Sequence, residues 1–103
     1  MRCLLKVAFP VAEGNAAIAD GSLGTTINSI LSDLKPEAAY FAEENGARTA
    51  FVFFNLDNSS QIPAVAEPWF LAFNASVCIQ PVMIPDDLAK AGPAIEEATK
   101  KYA

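Results

Sequence analysis

Over residues 2–9 the side chains alternate, with Cys3, Leu5, Val7 and Phe9 on one parity and Arg2, Leu4, Lys6 and Ala8 on the other. A period of two is a strand with one covered face, and Pro10 ends it. From Leu23 the period changes: Leu23, Ile27, Ile30, Leu31 and Leu34 form one stripe of an α-helix. Pro36 stops that helix by pushing the preceding residue out of helical dihedrals. Between these segments, Gly14-Asn15 and Asp20-Gly21-Ser22 predict a short helical turn at 15–20, a break and a fresh N-cap.

Asn45-Gly46 lies between two runs of strand formers, near 37–44 and 47–56, and supplies the two positive-φ residues of a type I′ hairpin turn. A two-residue loop sets Glu43 opposite Arg48, Ala42 opposite Thr49 and Tyr40 opposite Phe51, and the opposite charges at 43 and 48 support that register. The second strand is apolar on both parities, Phe51 and Phe53 on one and Val52, Phe54 and Leu56 on the other, so it is expected to be covered on both faces. Asp57-Asn58-Ser59-Ser60 then offers N-caps for a helix in which Pro63 fits the first turn. Pro68 falls where a helix interior is expected, which predicts a kink or restart at Glu67-Pro68. A last strand near 76–83 contains Pro81, which cannot donate to a ladder and belongs on an edge. Pro85-Asp86-Asp87-Leu88 reads as a helix start, Gly92-Pro93 as its break, and 94–102 as a terminal helix.

The resulting order, β-α-β-β-α-β plus a C-terminal helix, is the α+β ferredoxin-like arrangement in one domain spanning 1–103, with both crossover helices on one face of a four-stranded antiparallel sheet. The hairpin register puts Phe41, Ala50, Val52, Phe54 and Leu56 on the face under the helices. Tyr40, Ala42, Thr49, Phe51, Phe53 and Asn55 fall on the open face. An aromatic patch of that size is generally covered in proteins that remain in solution, and a second copy of the sheet is the simplest cover.

Several stretches carry a resemblance: Asp20-Gly21-Ser22-Leu23, Leu34-Lys35-Pro36-Glu37-Ala38-Ala39-Tyr40-Phe41, Ala66-Glu67-Pro68-Trp69-Phe70 and Pro81-Val82-Met83. With the element order, they resemble a small group of uncharacterised bacterial proteins of the dimeric α/β-barrel superfamily, in which two ferredoxin-like subunits pack sheet against sheet around a central space. The resemblance implies a homodimer; no activity is established for that group.

Composition narrows the chemistry. Twelve acidic residues against seven basic ones give a net charge of −5, and the basic residues are scattered apart from Lys100-Lys101, so a phosphate backbone is repelled and nucleic acid is not an expected partner. No apolar run reaches the roughly 18 residues of a membrane span, and the start passes directly into a strand pattern broken by Lys6, so neither a membrane partner nor a signal peptide is expected. Cys3 and Cys78 lie in separate apolar strands and read as small buried thiols, consistent with a reduced, cytoplasmic setting. There is no histidine. Ser-His and Cys-His nucleophiles, an imidazole base and His-ligated metal or haem are therefore all excluded within the chain. No CxxC, GxGxxG or GxxxxGK[ST] motif occurs, and no cofactor is expected.

What remains is a short set of residues for a ligand between the sheets. Lys6 is a mid-strand cation: in the intersubunit space it binds an anion or enolate, or it forms an ion pair or snorkels to the rim. Tyr40 and Asn55 would position a polar group, with Phe51 and Phe53 as apolar walls. Packing of sheet on sheet explains those aromatics equally well. Trp69 joins the set by residue type, since cofactor-free monooxygenases of the superfamily use Trp, Asn and Tyr side chains; as a structural residue it fills the core beside a helix restart at Pro68. Glu67, beside that proline, is a base in a gated pocket or a solvated charge. The acidic pairs, Asp86-Asp87 among them, are solvated faces before they are metal ligands.

The expectation is a homodimer that is structural or binds a small, largely apolar or aromatic ligand between its sheets. The alternatives are a cofactor-independent monooxygenase or isomerase acting on an aromatic or enolisable substrate, and a regulatory or accessory subunit using the Pro81 edge or the terminal helix to bind another protein.

Overall fold

Four strands and five α-helices make up the computed structural model, which describes residues 1–103. Strand β1 (Arg2–Ala8) is followed by α1 (Val11–Ala19), α2 (Leu23–Leu34), β2 (Ala38–Glu44) and β3 (Ala47–Asn55). A 3₁₀ turn at Ser59–Gln61 then leads into α3 (Ile62–Phe73), β4 (Ser76–Pro81), α4 (Pro85–Lys90) and α5 (Gly92–Tyr102). All pairings are antiparallel and the sheet order is β2-β3-β1-β4, the ferredoxin-like arrangement.

The hairpin has the expected register, Glu43↔Arg48, Ala42↔Thr49 and Tyr40↔Phe51, with Asn45 at φ 54° and Gly46 at φ 79°. Glu43 and Arg48 face each other but do not pair. Glu43 Oε2 instead accepts from Gly46 N at 3.1 Å and closes the turn, while Arg48 Nη2 donates to Asn15 Oδ1 at 3.1 Å.

Between sheet and helices lies the core. Cys3, Leu5 and Val7 of β1, with Phe9, meet Ala50, Val52 and Phe54 of β3 and Val65, Trp69 and Phe73 of α3. Trp69 is fully buried, edge-on to Phe9 with centroids 6.0 Å apart, and its Nε1 has no hydrogen-bond partner. The stripe Leu23, Ile27, Ile30, Leu31 and Leu34 packs against this core but each side chain is only half-buried.

Four expectations need correction. The helical turn at 15–20 is a nine-residue helix starting directly after Pro10; Gly14 does not interrupt it but makes room for Arg48, whose Nη1 would lie 2.8 Å from a Cβ at position 14. No restart occurs at Pro68: α3 is one helix over Ile62–Phe73, started by Asn58, which accepts from Ser60 N, and Gln61. Burial of Val65, Trp69 and Phe73 on one stripe offsets the missing N–H of Pro68. Cys3 is buried but Cys78 is exposed, on the open face of edge strand β4. Finally, Phe41 has the parity of the helix-covered face yet is 54% exposed, lining a groove with Leu23 and Ile27 of α2 rather than being buried beneath that helix.

Helix α2 ends through Lys35 in the left-handed region (φ 52°), just before Pro36. At the other end, Asp20 Oδ1 accepts from Ser22 N at 2.9 Å. Hydrogen bonds from the Ser22 side chain and backbone hold the Asp20 carboxyl below its ordinary 3.8. A lowered carboxyl pKa stabilises the folded state above the unfolded pKa, and the contribution is lost as pH falls through the folded value. Carbon-detected NMR titration is expected to find Asp20 titrating below pH 3.8, and Asp20→Asn to remove that part of the acid sensitivity; a midpoint at or above 3.8 would contradict the capping contact.

Beyond β4 the chain leaves the sheet. Helices α4 and α5 pack mainly on each other and bury no residue, and Leu88, Ile95 and Tyr102 are all exposed. The molecule measures 58 × 28 × 21 Å with a radius of gyration of 17.1 Å. A compact domain of this length has about 13 Å, so these helices form a projecting arm.

Candidate functional site on the open sheet face

Strand parity and the sheet order decide which side chains meet on the side that the helices leave bare. Two rows cross it. One runs Tyr40, Phe51, Lys6, Cys78 from β2 to β4; the next runs Ala38, Phe53, Leu4, Gln80. Phe51 and Phe53 are half-buried and Tyr40 is 62% exposed. The face is thus an aromatic and aliphatic surface with one embedded cation.

That cation is paired within its own chain. Lys6 Nζ lies 2.5 Å from Glu44 Oε2 and 5.8 Å from the centre of the Phe51 ring. Strand β3 separates the two charged residues, so their side chains meet above it. Thr49, on the same parity of β3, is only 2% exposed, and its hydroxyl donates to Ala47 O at 3.1 Å. With both side chains about 37% exposed, the ion pair is a surface pair worth about 0–1 kcal/mol. Its larger effect is on the face as a whole, since the pair brings no net charge to it. A neutral face can be covered without an unpaired charge being buried.

The other two expected site residues lie elsewhere. Asn55 has the open-face parity but sits at the sheet's end, where Oδ1 accepts from the Met1 ammonium at 2.8 Å and Nδ2 donates to Asp57 Oδ1 at 2.5 Å. Trp69 is on the opposite side of the sheet, under the helices. Lys6, Tyr40, Phe51 and Phe53 therefore come together, Asn55 stands at their margin, and Trp69 cannot touch a molecule that they touch. At that same margin Arg2 pairs with Glu37, which raises the guanidinium pKa further.

Missed by sequence reasoning were Glu44 and Arg48. Glu44 shares the parity of Tyr40 and Ala42, so the partner of Lys6 was readable in principle; that the two reach across β3 was not. No three potential metal-ligating His, Cys, Asp or Glu side chains come together, and no helix is long and apolar enough to cross a membrane.

Two of the concavities on the helix side are defined by their lining. One, of about 400 Å³, opens between α2 and α3 and carries Asp33 and Asp57 at its edge. The other, of about 630 Å³, lies between the first turns of α1 and α2 and the β2-β3 hairpin, over Phe41. Compared with protein-family models and with curated proteins, the chain matches none.

Proposed function

We propose that the protein is a homodimer of the dimeric α/β-barrel type, closed through the open sheet face, which holds a small, largely apolar or aromatic ligand between its two sheets. The observation that carries this reading is the amount of surface the single chain exposes. It is 6762 Å² for 10.9 kDa, whereas a monomeric protein of this mass exposes about 5,600 Å². The excess, about 1,200 Å², includes the projecting arm and exceeds the roughly 800 Å² that one partner contributes to a stable interface. The open face, aromatic and without net charge, is the surface suited to that contact.

Placement also favours binding over catalysis. A cofactor-independent oxygenase or isomerase would need Lys6, Tyr40, Asn55 and Trp69 around one substrate. Trp69 is on the other side of the sheet, Asn55 holds Met1 and Asp57, and the Lys6 ammonium is matched by Glu44. Tyr40, Phe51 and Phe53 remain as walls for an apolar body. A neutral aromatic probe, N-phenyl-1-naphthylamine, is expected to bind with a saturable rise in fluorescence, and to lose the inter-sheet part of that binding in Phe51→Glu. Linear, non-saturating fluorescence would leave a filled, purely structural interface.

A further inference from the structure

We propose that the helix-side groove over Phe41 is a second binding site, for a small organic carboxylate with an apolar body, and that Arg48 is the residue that holds the carboxylate. The proposal does not depend on dimerisation, because the groove lies on the opposite side of the sheet from Lys6 and Phe51.

The apolar walls come from Phe9, Val11, Leu23, Ile27 and Phe41, and Asn15, Glu43 and Arg48 supply polar lining around a space of about 630 Å³. Phe41 is the informative one. A large aromatic on the covered parity of an outer strand normally packs beneath a helix, but here it is 54% exposed and forms one side of the groove. Into this apolar surround projects a single guanidinium. The one side-chain hydrogen bond of Arg48 goes from Nη2 to the neutral Asn15 Oδ1, and no carboxylate pairs with it. Its cross-strand neighbour Glu43 is the obvious partner but closes the hairpin turn through Gly46 N. The chain also clears space for this side chain: a Cβ on Gly14, buried in α1, would stand 2.8 Å from Arg48 Nη1.

An Arg fork offers five donors in a planar array matched to the two oxygens of a carboxylate. Val11 and Leu23, the first residues of α1 and α2, both line the groove, so the positive ends of two helix dipoles border it. Glu43 also lines the groove, but its carboxylate is engaged by Gly46 N at the hairpin turn, so apolar walls, one fork without an ion-pair partner and two helix N-termini together favour an anion carried on an apolar body. A phosphate or sulfate would leave the walls unfilled, and a neutral hydrocarbon would leave the fork unmatched.

The test uses the full chain with 3-phenylpropanoate and its neutral isostere 3-phenylpropanamide, followed by ¹H–¹⁵N NMR. Phe9 lines the groove and also packs edge-on to Trp69, so the Trp69 indole N–H reports occupancy. The carboxylate is expected to bind at least about tenfold more tightly than the amide. Arg48→Gln is expected to reduce that preference to less than about twofold while leaving amide affinity unchanged, and Arg48→Lys to retain part of it. Gly14→Ala, which displaces the guanidinium, is expected to act in the same direction as Arg48→Gln. Phe51→Glu, on the other face, is expected to leave the preference intact, which separates failure of this site from failure of the dimer. Equal affinities for acid and amide, no shift of the Trp69 signal up to roughly 10 mM ligand, or a preference that survives Arg48→Gln but disappears in Phe51→Glu would each overturn the proposal.

Discussion

If the open faces pack together as proposed, Phe51→Glu is expected to leave a folded monomer. Phe51 sits at the centre of the open face, flanked by Tyr40 on β2 and Lys6 on β1. The single chain leaves it only half-buried, so a carboxylate there keeps contact with water and the protomer tolerates it. Against a second sheet the same carboxylate is enclosed beside aromatic rings, in both subunits at once, and Glu44 already neutralises the nearest cation. Burying a charge without a partner costs several kcal/mol, which raises the dimer dissociation constant by at least about a hundredfold. Sedimentation velocity would show the mass fall by half while NMR dispersion is preserved. A variant that sediments like the parent would place the contact elsewhere.

Trp69→Ala is expected to have the largest effect on folding. The indole is fully buried between Phe9 and Phe73, where α3 meets β1. Truncation removes two rings from a region that cannot collapse, since the sheet fixes one wall, and costs about 3–5 kcal/mol. Trp69→Phe is expected to cost much less. It keeps one ring and also removes an indole N–H that is buried without a partner, a group whose desolvation opposes folding by about 1–3 kcal/mol. Urea unfolding at a fixed protein concentration checks both, the concentration being held because any self-association raises apparent stability. Equal losses for the two variants would contradict this packing.

The hairpin was legible because Asn45-Gly46 admits few alternatives: a two-residue turn sets the register, and register assigns every side chain of β2 and β3 to a face. Tyr40, Phe51 and Phe53 share a face for that reason, and Lys6 joins them through the separate β1-β3 pairing. Pro81 marked its strand as an edge for an equally local reason, the absent N–H. What could not be read depends on how elements lie on one another. The exposure of Phe41 depends on how the helices lie against the sheet, which helical periodicity does not encode. The unbroken α3 follows from the burial of Trp69 and Phe73, which outweighs the local penalty of Pro68. The path of Arg48 to Asn15, rather than to the acidic residue opposite, depends on a glycine inside a helix that starts directly after Pro10. The groove was invisible because each of its determinants is tertiary.

Mass in solution tests the central claim most directly. Sedimentation equilibrium or light scattering between about 1 and 100 µM, the range in which a stable interface of this size remains associated, is predicted to give twice the 10.9 kDa of one chain. A single species of 10.9 kDa throughout would contradict the account and remove both the covered face and the space between the sheets.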